Sequence, residues 1–489
     1  MKCILLVSIS LAVSSLSFCQ TKIKKVFFSK VLNDSIHCNI WLPKNWNANG
    51  RYPSVYLNAY GALGGGNGML VAANINNFVN NLPPSVVIDI TSGQMDKMDY
   101  NYETGETGKT GKSFIECLKT ELIPHIETDY KTTNFRAFIG QSYSSSYANY
   151  LFLKQPGLFN AYILFTPEKI TKEQPPFEIS DELIAYYKAH PTFYYLAPAG
   201  KDIERRKDYA NEIKQKITVL DSANFHFKYE LFPDAGHNDI VSYGLLNGLK
   251  FVYSSYSIAI PKNVNDITKW FDDTKNKVKE IYGLEYIKNS NLQVSLINAI
   301  AEQKDKKAMD YFAGYFNDTT AKDNSLMLFN TAYTYQTDFT DVEKAKEYYL
   351  KSINEAKRKN NRNASDNAYR SLAKNLYWQH DKNKEAAWRT LKEGFEYTKY
   401  YAYKYIAGKI SVESKSNLDE GIANLLDFIK YRGTNPPDTF YTVSDAYLLI
   451  AKCYYYKNNK YNAKLYLNKS LNENSKNESA KRWKTEVKM

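Results

Sequence analysis

Two hydrophobic rhythms divide the chain. From Lys25 to about Ile260, short runs of β-branched and aromatic residues alternate with longer amphipathic stretches. The runs at Ser35–Pro43, Tyr52–Asn58, Ser85–Ile90, Arg136–Gly140, Asn160–Phe165, Thr192–Pro198 and Phe227–Pro233 predict strands, and helical spacing separates most of the later ones. Alternating strands and helices predict a mostly parallel sheet covered on both faces, an α/β domain. After the Ile258–Asp266 stretch the strand pattern stops, and almost everything beyond reads as helix. Pro261 is the expected hinge, giving an α/β domain over 20–260 and an all-α domain over 261–489.

The second region repeats itself. Ala332, Ala373, Gly408 and Ala451 are followed 13, 13, 13 and 12 positions later by Ala345, Ala386, Gly421 and Ala463, and the units lie 41, 35 and 43 residues apart. Small residues on both arms of a helical hairpin let the arms approach closely, and this period marks a helical-repeat array. In the last unit Tyr447, Ile450, Ala451, Tyr454, Ala463, Leu467 and Leu471 resemble the tetratricopeptide pattern, with Tyr461 one place late. One histidine, His380, and no convergent polar cluster leave this half as packing and contact surface, suited to a protein partner.

Length agrees with this division, because 489 residues exceed what one core normally organises. The formal charge of +12 comes from lysines interleaved with acidic residues rather than from a basic stripe, so nucleic acid is not an expected partner. Residues 1–19 have the charged start, apolar run and small-residue exit of a secretory signal, with cleavage after Cys19 and export of the mature chain expected. A rival reading makes Leu16–Cys19 a lipobox with Cys19 lipidated. No later segment is apolar for long enough to predict a membrane span. Beyond the signal, Cys38, Cys117 and Cys453 are too far apart for a metal set and read as buried small hydrophobes.

The candidate chemistry centres on Gly140-Gln141-Ser142-Tyr143-Ser144, between a predicted strand and a predicted helix ending at Pro156. This is the setting of the G-x-S-x-G nucleophile elbow, with serine in place of its last glycine. A serine hydroxyl needs a base, and the base needs an orienting acid. His237 follows a strand and precedes a helix, at the end of the sheet where such sites form. His37, His125, His190 and His226 lie on or beside structural elements and read as structural. Asp202 or Glu204 supplies the acid, Asp202 being nearer its strand, and the order Ser142, Asp202, His237 is that of the α/β-hydrolases.

Two glycine-rich stretches carry other readings that fail. Thr107–Ser113 looks like a phosphate loop but has Glu103 and Glu106 where that motif needs glycine. Gly61–Gly68 lacks dinucleotide spacing and reads as a rim of an ester pocket.

From about Lys25 to Tyr253 the chain resembles the enterochelin-esterase-like and esterase D branch of the α/β-hydrolases. The resemblance runs through "SKVLNDSIHCNIWLP", "YPSVYLN", "SFIECLKTELIPHIETDYKT", "FRAFIGQSYSSSYANYLFLKQPGLFNAYILFTPE" and "ELFPDAGHND", in order and spacing. It implies a serine esterase acting on small-molecule or glycan-linked carboxylic esters without metal or organic cofactor. The oxyanion would be held by the backbone N–H of Tyr143 and a second donor from Tyr60 or Gly61. The chain departs from the family at Gln141, usually histidine, at Ser144, usually glycine, and at Asn58-Ala59-Tyr60-Gly61, usually Leu-Asp-Gly. These departures open an alternative, a catalytically impaired binding or scaffold protein.

Overall fold

Parallel strands buried on both faces read as continuous apolar runs, and the central strands here have that character. The computed structural model describes residues 21–44, 46–58, 67–78, 82–91, 96–171, 174–256, 260, 264–285, 290–316, 323–432 and 441–488. The expected signal segment with Cys19, the Tyr60–Gly61 loop and Pro261 lie outside these residues. The chain divides into two compact units: Met1–Ala259 with Lys269–Ile287, and Ile260–Thr268 with Lys288–Met489.

The first unit is built on β1 (Thr21–Ser29), β2 (Asp34–Leu42), β3 (Tyr52–Asn58), β4 (Val86–Ile90), the short β5 (Tyr100–Asn101) and β6 (Glu106–Thr107), β7 (Thr132–Gln141), β8 (Ala161–Phe165), β9 (Thr192–Ala197) and β10 (Phe225–Tyr229). Eight strands form one sheet in the order β1-β2-β4-β3-β7-β8-β9-β10, while β5 and β6 make a separate hairpin. Pairing is antiparallel from β1 to β2 and from β2 to β4, and parallel throughout the rest. Every residue of β4, β8 and β9 is buried.

Helices α1 (Asn67–Ala73), α2 (Lys109–Cys117), α3 (Ile123–Tyr130), α4 (Tyr143–Lys154), α5 (Asp181–Ala189), α6 (Glu204–Lys216) and α7 (Ile240–Val252) cover the sheet, and α8 (Ile267–Tyr282) joins them from Lys269 onward. One core gathers Tyr56, Phe138, Tyr162 and Tyr194 with Tyr147, Leu151 and Ile213; the other gathers Val55, Ile139, Ile163 and Tyr195 with Leu249, Val252 and Tyr282. The odd and even residues of β3, β7, β8 and β9 thus serve opposite faces, as a period of two requires. Tyr282 anchors α8 by donating to the Val252 carbonyl at 2.8 Å.

The glycines of the rejected phosphate loop have a packing role. A Cβ on Gly111 would lie 2.1 Å from the Met98 carbonyl oxygen, and the start of α2 is capped by Asp99 Oδ2, which accepts the Thr110 N–H at 3.1 Å.

The second unit is helical: α9 (Ser290–Gln303), α10 (Lys306–Phe316), α11 (Ser325–Thr337), α12 (Val342–Arg358), α13 (Arg362–Arg370, continued as a π-helix to His380), α14 (Lys384–Thr398), α15 (Ala402–Ser414), α16 (Leu418–Tyr431), α17 (Val443–Tyr456), α18 (Lys460–Glu473) and α19 (Glu478–Glu486). The eight small residues of the repeat pattern are buried in their helices. A Cβ on Gly408 would meet Leu425 Cγ at 2.4 Å, and one on Gly421 would meet Ser411 Cβ at 2.6 Å, so α15 and α16 approach closely because glycine faces side chain twice. Ser444 and Ser470 clamp α17 to α18 by reciprocal hydroxyl-to-carbonyl bonds of 2.8 and 2.7 Å. Among the described residues no helix is long and apolar enough to cross a membrane.

Candidate active site

The turn from β7 into α4 is tight and strained. Ser142 has φ 56° and ψ −118°, a conformation that costs a non-glycine residue about 1–3 kcal/mol. Surrounding bonds hold it there. Its N–H donates to the Phe165 carbonyl on β8 at 3.0 Å, and its carbonyl accepts the N–H groups of Ser145 and Ser146 at 3.0 Å each. A Cβ at Gly140 would stand 2.6 Å from the Ser144 carbonyl oxygen, so the strand can fold back on the helix only with glycine there. Ser142 keeps 7% of its surface exposed.

Ser144, the departure from the family pattern, closes this turn. Its hydroxyl accepts the Gln141 N–H at 2.9 Å and donates to the Gln141 carbonyl at 3.0 Å. A glycine would leave both groups at the end of β7 without those bonds. Gln141, the other departure, donates from Nε2 to the His237 carbonyl at 2.6 Å, tying the histidine loop to the residue before Ser142.

The segments after β9 and β10 zip together to present the acid and the histidine. Gly200 N–H donates to the Phe232 carbonyl at 2.8 Å and Lys201 N–H to the Ala235 carbonyl at 2.9 Å. A Cβ on Gly200 would sit 2.4 Å from the Pro233 carbonyl oxygen, so only glycine allows this approach. Asp202 Oδ2 then lies 2.8 Å from His237 Nδ1, with the carboxylate side chain 2% exposed and the imidazole 24% exposed. Thr166 Oγ1 stands 3.3 Å from the same nitrogen, on the residue following Phe165, whose carbonyl receives the Ser142 N–H. A carboxylate can only accept, so this contact assigns a proton to Nδ1, and in the neutral imidazole Nε2 then carries the lone pair.

Burial pushes the Asp202 carboxyl up, but hydrogen bonds from Arg206, His237 and the Ile203 N–H outweigh it and hold the group below the ordinary carboxylate value. Glu204, the other sequence candidate, begins α6 and pairs with Lys207 at 2.7 Å. Asp202 is thus the carboxylate that meets His237.

Tyr143 Oη donates to the Tyr100 carbonyl at 2.8 Å, and its ring packs edge-on against Tyr100 and Tyr102. Tyr60, the expected second oxyanion donor, falls outside the described residues. Asn58, at the end of β3, is buried with Nδ2 on Met98 Sδ at 2.8 Å. One turn along α4 from Ser142, Ser146 helps line a cavity of about 230 Å³ with Asn149, Tyr150, Gln174, Phe177 and Tyr209. His125, His190 and His226 engage aromatic neighbours instead: Phe27 at 5.2 Å, Tyr186 at 4.2 Å and Phe193 at 4.6 Å between ring centroids.

Sequence reasoning missed Thr166 and Glu168. Both follow a predicted strand at the end of the sheet that bears the site, and that position was the available signal.

Residues 29–191 match the sequence model of the esterase family, described as "Putative esterase". No curated protein matches the chain. Among solved structures, an uncharacterised protein from Capnocytophaga ochracea shares 18% identity at a TM-score of 0.53, over 68% of this chain and 94% of that one. An IroE-like serine hydrolase from Shewanella oneidensis shares 17% identity at a TM-score of 0.45, over 59% of this chain and 96% of that one. The family match contains Ser142 and ends before Asp202 and His237. Together with the fold, it supports a carboxylic ester hydrolase, in line with the enterochelin-esterase-like resemblance.

Proposed function

We propose that the protein is an exported serine esterase in which Ser142, His237 and Asp202 form the catalytic triad. Ser142 Oγ attacks the ester carbonyl while His237 Nε2 takes its proton. The C–O bond to the alcohol then breaks, and His237 returns the proton to the leaving oxygen. Water repeats the sequence on the acyl-enzyme and releases the acid. Asp202 keeps the imidazole in the Nδ1–H tautomer and stabilises the imidazolium that forms at each transfer. The Tyr143 N–H, with a donor from the Tyr60–Gly61 loop, would hold the negative oxygen.

The observation that carries this reading is a buried carboxylate 2.8 Å from Nδ1 of a histidine whose loop is bonded to the residue before a strained serine. Substrates are small-molecule or glycan-linked esters, with the 230 Å³ cavity beside α4 as a candidate site for one of their groups. The helical unit serves contact with a protein partner or with the substrate's carrier, a role resting on its architecture alone.

The test is turnover of p-nitrophenyl acetate and of feruloyl and siderophore-type esters by wild type and Ser142→Ala. Wild-type turnover and its loss in the variant are expected. Equal turnover in both would assign another nucleophile, and a folded wild type inactive on every ester would favour the binding-protein reading.

A further inference from the structure

A charge array built on two buried carboxylates joins the helix that follows Ser142 to the segment that carries Asp202. Glu168 follows β8, and its side chain is 5% exposed. Its peptide is fixed to α4, with the N–H donating to Ser146 Oγ at 2.8 Å and the carbonyl accepting from the same hydroxyl at 2.9 Å. Its carboxylate reaches α6: Oε1 accepts from Arg205 Nε at 2.9 Å, and Oε2 accepts from Arg206 Nε at 3.0 Å. Arg206 extends the array, donating from Nη1 to Asp202 Oδ1 at 2.8 Å. The Ile203 N–H donates to that same oxygen at 2.7 Å, which leaves Oδ2 to His237.

The four side chains sum to zero charge: Glu168 and Asp202 against Arg205 and Arg206. Asp202 therefore faces His237 with one oxygen already engaged by a cation, and that cation is itself shared with Glu168. We propose that Arg206 and Glu168 are positioning residues that set, with opposite sign, how strongly Asp202 holds a proton on His237. Arg206 weakens the field of Asp202 at the imidazole, and Glu168 weakens Arg206.

The bonds agree with such a division. Burial alone would lower the Arg206 guanidinium, but its bonds to Asp202 and Glu168 hold it above its ordinary value, so it stays charged throughout the working range. Other charged groups around the histidine have partners of their own. Lys201 pairs with Asp234 at 3.4 Å, Glu204 pairs with Lys207, and Asp239 Oδ1 accepts the Gly236 N–H at 2.6 Å. From α4 the only charged side chain is Lys154, at the far end of the helix. Arg206 and Glu168 are thus the pair whose removal changes the charge behind Asp202.

This role takes its kinetic readout from the esterase reading, and its test has a second readout that does not. The acid limb of a pH profile for kcat/KM follows the protonation of the general base in the free enzyme. Deleting a cation makes proton uptake by the imidazole easier, so Arg206→Gln moves that limb to higher pH by about half a unit or more. Deleting the anion leaves Arg206 wholly on Asp202, so Glu168→Gln moves the limb to lower pH. Arg206→Lys, which keeps the charge, leaves it at the wild-type position even where kcat falls.

The imidazole resonance of His237, assigned by its loss in His237→Gln, reports the same proton uptake by NMR in the absence of any ester. Opposite displacements in the two Gln variants are expected. Displacements of the same sign, or none, in folded variants would overturn the role and reduce the array to a structural tie. If Arg206→Gln does not fold, an unshifted Arg206→Lys together with a lowered Glu168→Gln supports the role, and any other combination overturns it. A wild type that hydrolyses no ester would defeat the esterase reading alone, because the NMR displacements still decide this one.

Discussion

The two units differ in how far their most buried carboxylates reach. In the α/β unit Glu168 reaches Arg205 and Arg206, 37 and 38 residues away, and Asp202 reaches His237, 35 residues away. In the helical unit the buried carboxylates of Glu355 and Asp366 are held by Arg358 and Arg370, three and four positions along their own helices. A local pair such as Glu355 with Arg358 joins neighbouring turns of one helix. A pair between segments fixes the relative position of elements that otherwise meet only through apolar packing, and breaking it leaves a buried charge without its partner. Charge in the first unit therefore organises a site, and charge in the second finishes a scaffold.

This contrast is sharpest under substitution. Asp202→Asn cannot hold the Nδ1–H tautomer as a carboxylate does, and kcat should fall by about 10³–10⁴-fold with the fold retained. The same residue links stability to pH. Its carboxyl lies below its ordinary value in the folded protein, so its contribution is complete above the unfolded value of 3.8 and is lost as pH falls through the lower folded value. The stability difference between wild type and Asp202→Asn should stay constant near neutrality and shrink below about pH 4 in denaturant titrations.

In the helical unit the expected effect is smaller and of another kind. Gly421→Ala places a Cβ 2.6 Å from Ser411 Cβ and should cost about 1–3 kcal/mol by thermal or denaturant unfolding, with kcat/KM unchanged. A loss of turnover in folded Gly421→Ala would erase the division between site and scaffold.

Much of this was legible from pattern. The central strands stood out because burial on both faces makes them continuously apolar, and the elbow stood out because strand, glycine, serine and helix occur in order. Strand β1 was not legible: "TKIKKVFFS" alternates lysine with apolar residues and half of it faces water, as the edge of a sheet does. Strand β10 pairs over Phe225–Tyr229, two residues earlier than the apolar run suggests, because beyond it the pairing continues only as the Glu230 bond to Leu196 and an isolated bridge between Phe232 and Ala199. The π-helical continuation of α13 leaves no mark in composition.

Within the site, the order Ser142, Asp202, His237 could be read because each follows a strand. The reach of Glu168 across 38 residues to Arg206 could not, because in sequence that arginine has Glu204 and Asp208 each only two positions away. Ser144 looked like a weakened motif and is instead the hydroxyl that satisfies both backbone groups of Gln141.

The central claim, that Ser142 is the nucleophile, is tested most directly by mass spectrometry of the purified protein after exposure to a fluorophosphonate. One covalent adduct on Ser142 is predicted in wild type, absent from Ser142→Ala and slow to form in Asp202→Asn. A folded wild type that stays unlabelled, or carries its adduct on another residue, would contradict it.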